Sequence, residues 1–181
     1  MEEHELYKLK YPIGTFEVPE VITDENLNEW IGILEEIPNK LRILVEGLSE
    51  PQLEAPYRPE GWTVRQTVHH IADSHHNSYL RFKWALTENS PVIKAYDEKE
   101  WSKLFDAKTA PIELSLTHLS AVHAKLVYLL KGLSRESLKR KFIHPEGHVE
   151  TSLDENVGRY AWHGQHHYTQ IENLLKRRGW V

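Results

Sequence analysis

Four stretches of this sequence carry apolar residues at alternating steps of three and four, the spacing of one face of an α-helix. The first runs from about Asp24 to Val45, with Leu27, Trp30, Leu34, Ile37, Leu41 and Leu44 on its stripe and Leu48 continuing it. Thr23 stands where an N-cap belongs, Asp24 and Glu25 fill the first turn, and Pro38 predicts a kink or a break. The second opens on Thr63-Val64-Arg65-Gln66, the form of a capping box, and continues to about Glu88, before Pro91. The third starts near Pro111 and ends before Gly132, with Ile112, Leu116, Leu119, Val122, Leu126, Leu129 and Leu133 on its stripe. The fourth opens on Ser152-Leu153-Asp154-Glu155, a second capping box, and ends at Gly179. No comparable alternating run predicts a sheet, beyond short strands in the connections. Four amphipathic helices of this length predict an all-α four-helix bundle.

The connections repeat. Gly47-Leu48-Ser49, Leu53 and Pro59-Glu60-Gly61 precede the second helix, and Gly132-Leu133-Ser134, Leu138 and Pro145-Glu146-Gly147 precede the fourth. Each half reads as helix, structured linker, then helix with histidines, so the second and fourth helices are expected counterparts whose histidines can meet. Residues 1–22 contain KYPIGTFEVP and predict an arm laid over the bundle, held by Tyr11, Ile13 and Phe16. Residues 89–110, with Tyr96 and Trp101, form a connection long enough to cover a site. A chain of 181 residues is expected to form one domain, residues 1–181, with its own core.

Composition then narrows the chemistry. A formal charge of −5 argues against a nucleic-acid binder. No run approaches the ~18 apolar residues of a membrane span, and MEEHELYKLK has no apolar signal core, so the expected location is the cytoplasm. Zero cysteines exclude disulfides, cysteine nucleophiles and thiolate metal sites. A tightly held transition metal must then rely on imidazole and carboxylate, and the chain holds twelve histidines.

His163 and His167 stand one helical turn apart in YAWHGQHHYTQIENLL, a spacing that lets two imidazoles share one ion. Both lie on or beside the stripe of Leu153, Val157, Tyr160, Gly164, Ile171 and Leu174 and therefore point inward. His166 falls off that face, toward the rim or into the layer behind the ligands, and Gly164 lets another helix approach. For a third ligand the second helix offers His69, His70, His75 and His76. His70 borders the apolar stripe on a polar strip with Thr67, Ser74, Asn77 and Arg81, which makes it the first choice; His75, on the stripe itself, is the second. His69 and His76 are expected to face solvent or an interface. His4, His118, His123, His144 and His148 read as surface or cap residues, and Asp73 as an acceptor that orients a ligand imidazole.

The stretches KYPIGTF, GWTVRQTVHHIADSHHNSYLRFKWALTE, YDEKEW and YAWHGQHH occur in this order along nearly the whole chain, which resembles the DinB/YfiT-like superfamily in its YfiT branch. That resemblance implies a four-helix bundle, a homodimer, and a mononuclear three-histidine site holding zinc or nickel. It implies metal-dependent hydrolase or bacillithiol S-transferase activity. Its ligands are the second histidine of the HHIAD run and the two of W-H-x-x-x-H, here His70, His163 and His167.

Three neutral imidazoles leave a divalent ion its full charge and an open position, as in catalytic zinc sites. Such an ion can generate hydroxide from a bound water or deprotonate a coordinating thiol. The first route is hydrolysis. The second transfers a low-molecular-weight thiol of the bacillithiol type to an electrophile, and it is the expected one, chiefly through the resemblance and because WHGQHH contains no acid to serve as a base. Arg81 is a candidate for holding an anionic substrate group, its alternative being a surface or interface salt bridge. Asn77 and Tyr160 are candidates for hydrogen bonds to a bound thiol or water. The reading from another class is a metal-binding bundle without catalysis.

Overall fold

The computed structural model describes residues 3–181. Its helices are α1 (Glu3–Lys10), α2 (Asp24–Val45), α3 (Glu50–Leu53), α4 (Val64–Thr87), α5 (Glu98–Trp101), α6 (Phe105–Thr109), α7 (Ile112–Lys131), α8 (Arg135–Leu138) and α9 (Leu153–Arg178). Strands β1 (Lys141–His144) and β2 (Val149–Ser152) pair antiparallel, with Lys141 opposite Ser152. The four long helices are α2, α4, α7 and α9, and they form the bundle. Among the described residues no helix is long and apolar enough to cross a membrane.

Helix α2 packs on α7 and α9, and α4 packs on the same two. Helix α2 therefore lies diagonally opposite α4, and α7 opposite α9, so the linkers that join these two pairs must cross the end of the bundle, whereas the consecutive helices α4 and α7 are adjacent. The two linkers are built alike. Ser49 caps α3 and Ser134 caps α8, Leu53 and Leu138 are both buried, and the first residue of the next long helix donates back to the linker, Val64 N–H to Ala55 and Leu153 N–H to Arg140. A bridge between Pro56 and Thr63 in the first half stands where the β1–β2 hairpin stands in the second. The internal repeat is thus visible in structure, and it makes α4 and α9 adjacent counterparts.

Thr23 and Thr63 cap α2 and α4 through reciprocal bonds with Asn26 and Gln66. Ser152 is the N-cap of α9 but makes no capping box with Glu155. Its hydroxyl donates instead to Asp154, whose carboxylate accepts the Glu155 N–H. Gly179, at φ +66°, ends that helix in the left-handed region.

Of the kink or break expected at Pro38, the break does not occur, because α2 is continuous from Asp24 to Val45. The carbonyl that a proline leaves without its helical donor is that of Leu34, and the His123 ring of α7 supplies the missing bond at 2.5 Å. The core divides into two apolar clusters. One gathers Leu34, Phe82, Leu126 and Val157; the other gathers Leu41, Ile71, Leu119 and Ile171. Between them, on three of the long helices, lies a layer of histidines. Gly164 sits in that layer, and its missing side chain admits Ile37 of α2 and the His75 ring, 3.3 and 3.4 Å from where a Cβ would stand.

The arm is more structured than an extended wrap. It begins with α1, Phe16 packs edge-on against Trp30, and the Lys10 carbonyl accepts from Gln170 of α9.

Candidate metal centre

Helices α4 and α9 bring His70, His163 and His167 together, with one ring nitrogen from each lying within 4.8 Å of the others. The Nε2 atoms of His70 and His163 are 3.2 Å apart. A proton on one of the two nitrogens, or a cation between them, satisfies both lone pairs at that distance. Neighbouring ligands on a tetrahedral zinc with ~2.05 Å bonds stand ~3.3 Å apart, close to what these two rings offer. Three imidazoles and no thiolate suit zinc or nickel. The residues present fit the group.

His167 is oriented by Gln170, one turn further along α9. The amide nitrogen of Gln170 donates to the Lys10 carbonyl at 2.8 Å and contacts His166 Nε2 at 3.0 Å. Its oxygen therefore faces His167 Nδ1, at 2.8 Å, and accepts that ring's proton. This leaves Nε2 of His167 free for the site. His163 Nδ1 lies 3.2 Å from Nε2 of His75, so this ring too has a partner behind it. Burial pushes His70, His163 and His167 well below the usual imidazole range, and the neighbouring rings add to that, so all three stand as neutral donors.

The three rings open into a cavity of about 340 Å³ walled by Trp62, Ser74, Arg81, Tyr96 and Tyr160, with Glu98, His144 and Glu146 also on its wall. The Trp62 ring lies 4.5 Å from that of His70. Arg81 is buried, not a surface ion pair. It donates to the Tyr160 hydroxyl at 3.2 Å and lies over the Phe142 ring. The long connection after α4 does cover the site, contributing Tyr96 and Glu98.

Other expectations are corrected. Asn77 does not line the cavity, since its amide donates to the Asp73 carbonyl of the preceding turn. Asp73 orients no ligand. It lines a separate cavity with His69 and Asp106, where burial and the Asp106 charge push its carboxyl up to about 6. His75 is no ligand of the cluster but stands behind His163. His69 is buried, with its ring nitrogens on the Ser115 hydroxyl and the Ala110 carbonyl, because α6 and the start of α7 close over that face of α4. His123 is no surface residue; it is 1% exposed, held by Leu34 and by His75. Of the two places expected for His166, the structure shows the one behind the cluster: it is buried, stacked on Trp162 with Tyr11 of the arm nearby, and its Nε2 lies 3.0 Å from the Gln170 amide that orients His167. His76 and His118 stack together away from the cavity.

His144, read from the sequence as a surface or cap residue, lines the cavity instead, and Trp62, Gln170, Glu98 and Glu146 were not legible as site residues. Gln170 had a signal, its position three residues after His167. The others come from connections, where no helical period relates them to the ligands.

A model of the DinB superfamily matches residues 33–171. A proposed metal-dependent hydrolase, YfiT of Bacillus subtilis (strain 168), is 48% identical over 172 residues, covering 95% of this chain and 97% of its own. A relative from Oceanobacillus iheyensis, also named as a proposed metal-dependent hydrolase, is 48% identical over 94% of this chain and 98% of its own. The solved structure of B. subtilis YfiT, described as a probable metal-dependent hydrolase with an unusual four-helix bundle topology, superposes with a TM-score of 0.94 at 47% identity, over 96% of this chain and 99% of that one. The four-helix bundle protein TT2238 shares the fold at 18% identity and a TM-score of 0.57, over 81% of this chain and 98% of that one.

Proposed function

This chain belongs to the DinB superfamily, and from that premise we propose a metal-dependent enzyme that transfers a low-molecular-weight thiol to an electrophile. The proposed ligands are His70, His163 and His167. The observation that carries the reading is the meeting of their nitrogens within 4.8 Å on a cavity that also holds a buried arginine.

When bound, a divalent ion (Zn²⁺ first, Ni²⁺ second) lowers the pKa of a thiol or water that joins it. The side chains supply the rest. Arg81, fixed by Tyr160 and Phe142, presents a guanidinium to a carboxylate or similar anionic group on the thiol. Trp62 covers the His70 ring and narrows the access of bulk water. A thiol needs the smaller help, since its pKa starts near ~8.5. In the transfer a sulfur–carbon bond forms as the carbon–halogen bond, or one epoxide C–O bond, breaks with its electron pair; the thiol proton passes toward the exposed carboxylates Glu98 and Glu146, and for an epoxide it ends on the opened oxygen.

Those same two carboxylates favour hydrolysis as the second reading. WHGQHH itself holds no acid, but the connections bring two to the cavity wall, where a base for water is useful. The names of the relatives point the same way.

The test is metal analysis followed by turnover of an alkyl halide or epoxide with and without added thiol. One ion per chain, loss of binding in His70→Ala, His163→Ala and His167→Ala but not His118→Ala, and turnover that requires thiol are expected. Turnover unchanged when thiol is omitted, with water in the product, makes the enzyme a hydrolase. Stoichiometric metal with no turnover of any kind leaves a binding protein.

A further inference from the structure

Three histidines stand in one hydrogen-bonded file that crosses the bundle. His163 Nδ1 on α9 is 3.2 Å from His75 Nε2 on α4. His75 Nδ1 is 2.8 Å from His123 Nε2 on α7, and His123 Nδ1 is 2.5 Å from the Leu34 carbonyl on α2. The group at the far end can only accept. The proton in that contact therefore sits on His123 Nδ1.

The rest follows ring by ring. A neutral imidazole carries one N–H, so His123 Nε2 is bare and accepts from His75 Nδ1. His75 Nε2 is then bare in turn and accepts from His163 Nδ1. His163 Nε2 is left as a lone pair facing His70. Reversing the file would set a bare His123 nitrogen against a carbonyl oxygen at 2.5 Å, two acceptors in contact where no water reaches. His75 is 0% exposed and His123 1%, and the file contains no carboxylate, which keeps the rings neutral. The Leu34 carbonyl is available to end the file because Pro38 has no N–H to give it.

We propose that the Leu34 carbonyl, His123 and His75 form a proton-ordering file that holds His163 as its Nδ1–H tautomer, so that Nε2 of His163 always faces the candidate metal centre. His75 and His123 are positioning residues, not ligands. A ligand histidine usually donates its second N–H to a carboxylate, a carbonyl or water. Here the carbonyl stands two imidazoles away, and the whole support is uncharged. An ion held in front of it keeps its full positive charge for the group on which it acts. This purpose rests on the metal reading above; the proton order does not.

The experiment uses the full chain labelled with ¹⁵N-histidine, first freed of metal with a chelator. Long-range ¹H–¹⁵N spectra near neutral pH are expected to show a protonated Nδ1 and a bare Nε2 on His163, His75 and His123. A protonated Nε2 on any of the three overturns the proposal. Zinc affinity, measured by chelator competition, is expected to fall about 10–100-fold in His75→Phe and in His123→Phe. Unchanged affinity in both folded variants overturns the positioning role. If a variant does not fold, the wild-type spectrum still decides the proton order. Wild-type protein with the ordered rings that binds no zinc removes the metal reading and leaves the order standing.

Discussion

The carbonyl oxygen of Leu34 and the ring of His123 are bonded at 2.5 Å across two helices, at the one place where Pro38 leaves α2 short of a donor. Both residues are buried, so losing the bond strands an acceptor where water cannot replace it. His123→Phe is expected to cost about 1–3 kcal/mol. In a Pro38→Ala background the cost should be smaller, because alanine restores the backbone N–H that the Leu34 carbonyl lacks. Urea unfolding of the two single variants and the double variant measures the coupling. Strict additivity would show that the proline and the histidine do not share this oxygen.

Acid should weaken the fold in a window that His123 helps to set. Burial, only partly offset by the bond to Leu34, holds this ring down to about 4, whereas in the unfolded chain it titrates near 6.5. Above 6.5 neither state takes the proton. As pH falls from 6.5 to about 4 only the unfolded state takes it, so stability is lost across that interval, by at most about 3 kcal/mol. Asp73 works in the opposite direction, since its carboxyl near 6 gains a proton in the folded state first. Urea midpoints at pH 7 and pH 4.5 should fall for the wild type and fall less for His123→Phe. Equal losses in the two proteins would exclude this ring as a source.

Removing metal should leave the fold standing. The two apolar clusters lie on either side of the histidine layer and do not depend on an ion to form. Chelated protein is expected to keep its helical circular dichroism and lose only part of its thermal stability. Loss of the helical signal on chelation would mean that the ion builds the bundle.

Gln170→Leu should act on the centre without unfolding the helix. Leucine fills similar space but cannot accept the His167 proton, so that ring is free to rotate. Zinc affinity should drop about 10–100-fold while helical content stays level. Affinity equal to wild type would show that packing alone orients His167.

Helix positions and the caps at Thr23 and Thr63 could be read from the chain because they follow from local periods and from residues three apart, whereas the box expected at Ser152 gives way to the Asp154 carboxylate. The meeting of His70, His163 and His167 could be read for the same reason, two of them from one helical turn and the third from a polar strip beside a stripe. His123 could not. It sits on the third helix's apolar face with no partner nearby in sequence, and its role exists only because Pro38, on another helix, frees a carbonyl. The continuity of α2 was hidden for the same reason, since the proline rule counts the lost bond and cannot count a donor arriving from α7. The mouth of the cavity was illegible because Glu98 and Glu146 lie in connections, where position depends on tertiary closure.

The single amide of Gln170 holds His167 with its oxygen and the carbonyl of Lys10 with its nitrogen. Whatever steadies that ring must therefore tighten the first helix against the bundle, and by reciprocity whatever pulls the first helix away must loosen the ring by the same free energy. A purification tag fused ahead of α1 hangs on this connection. Metal content read from tagged protein would report the tag's tug as well as the site, and cleaving it before measurement separates the two.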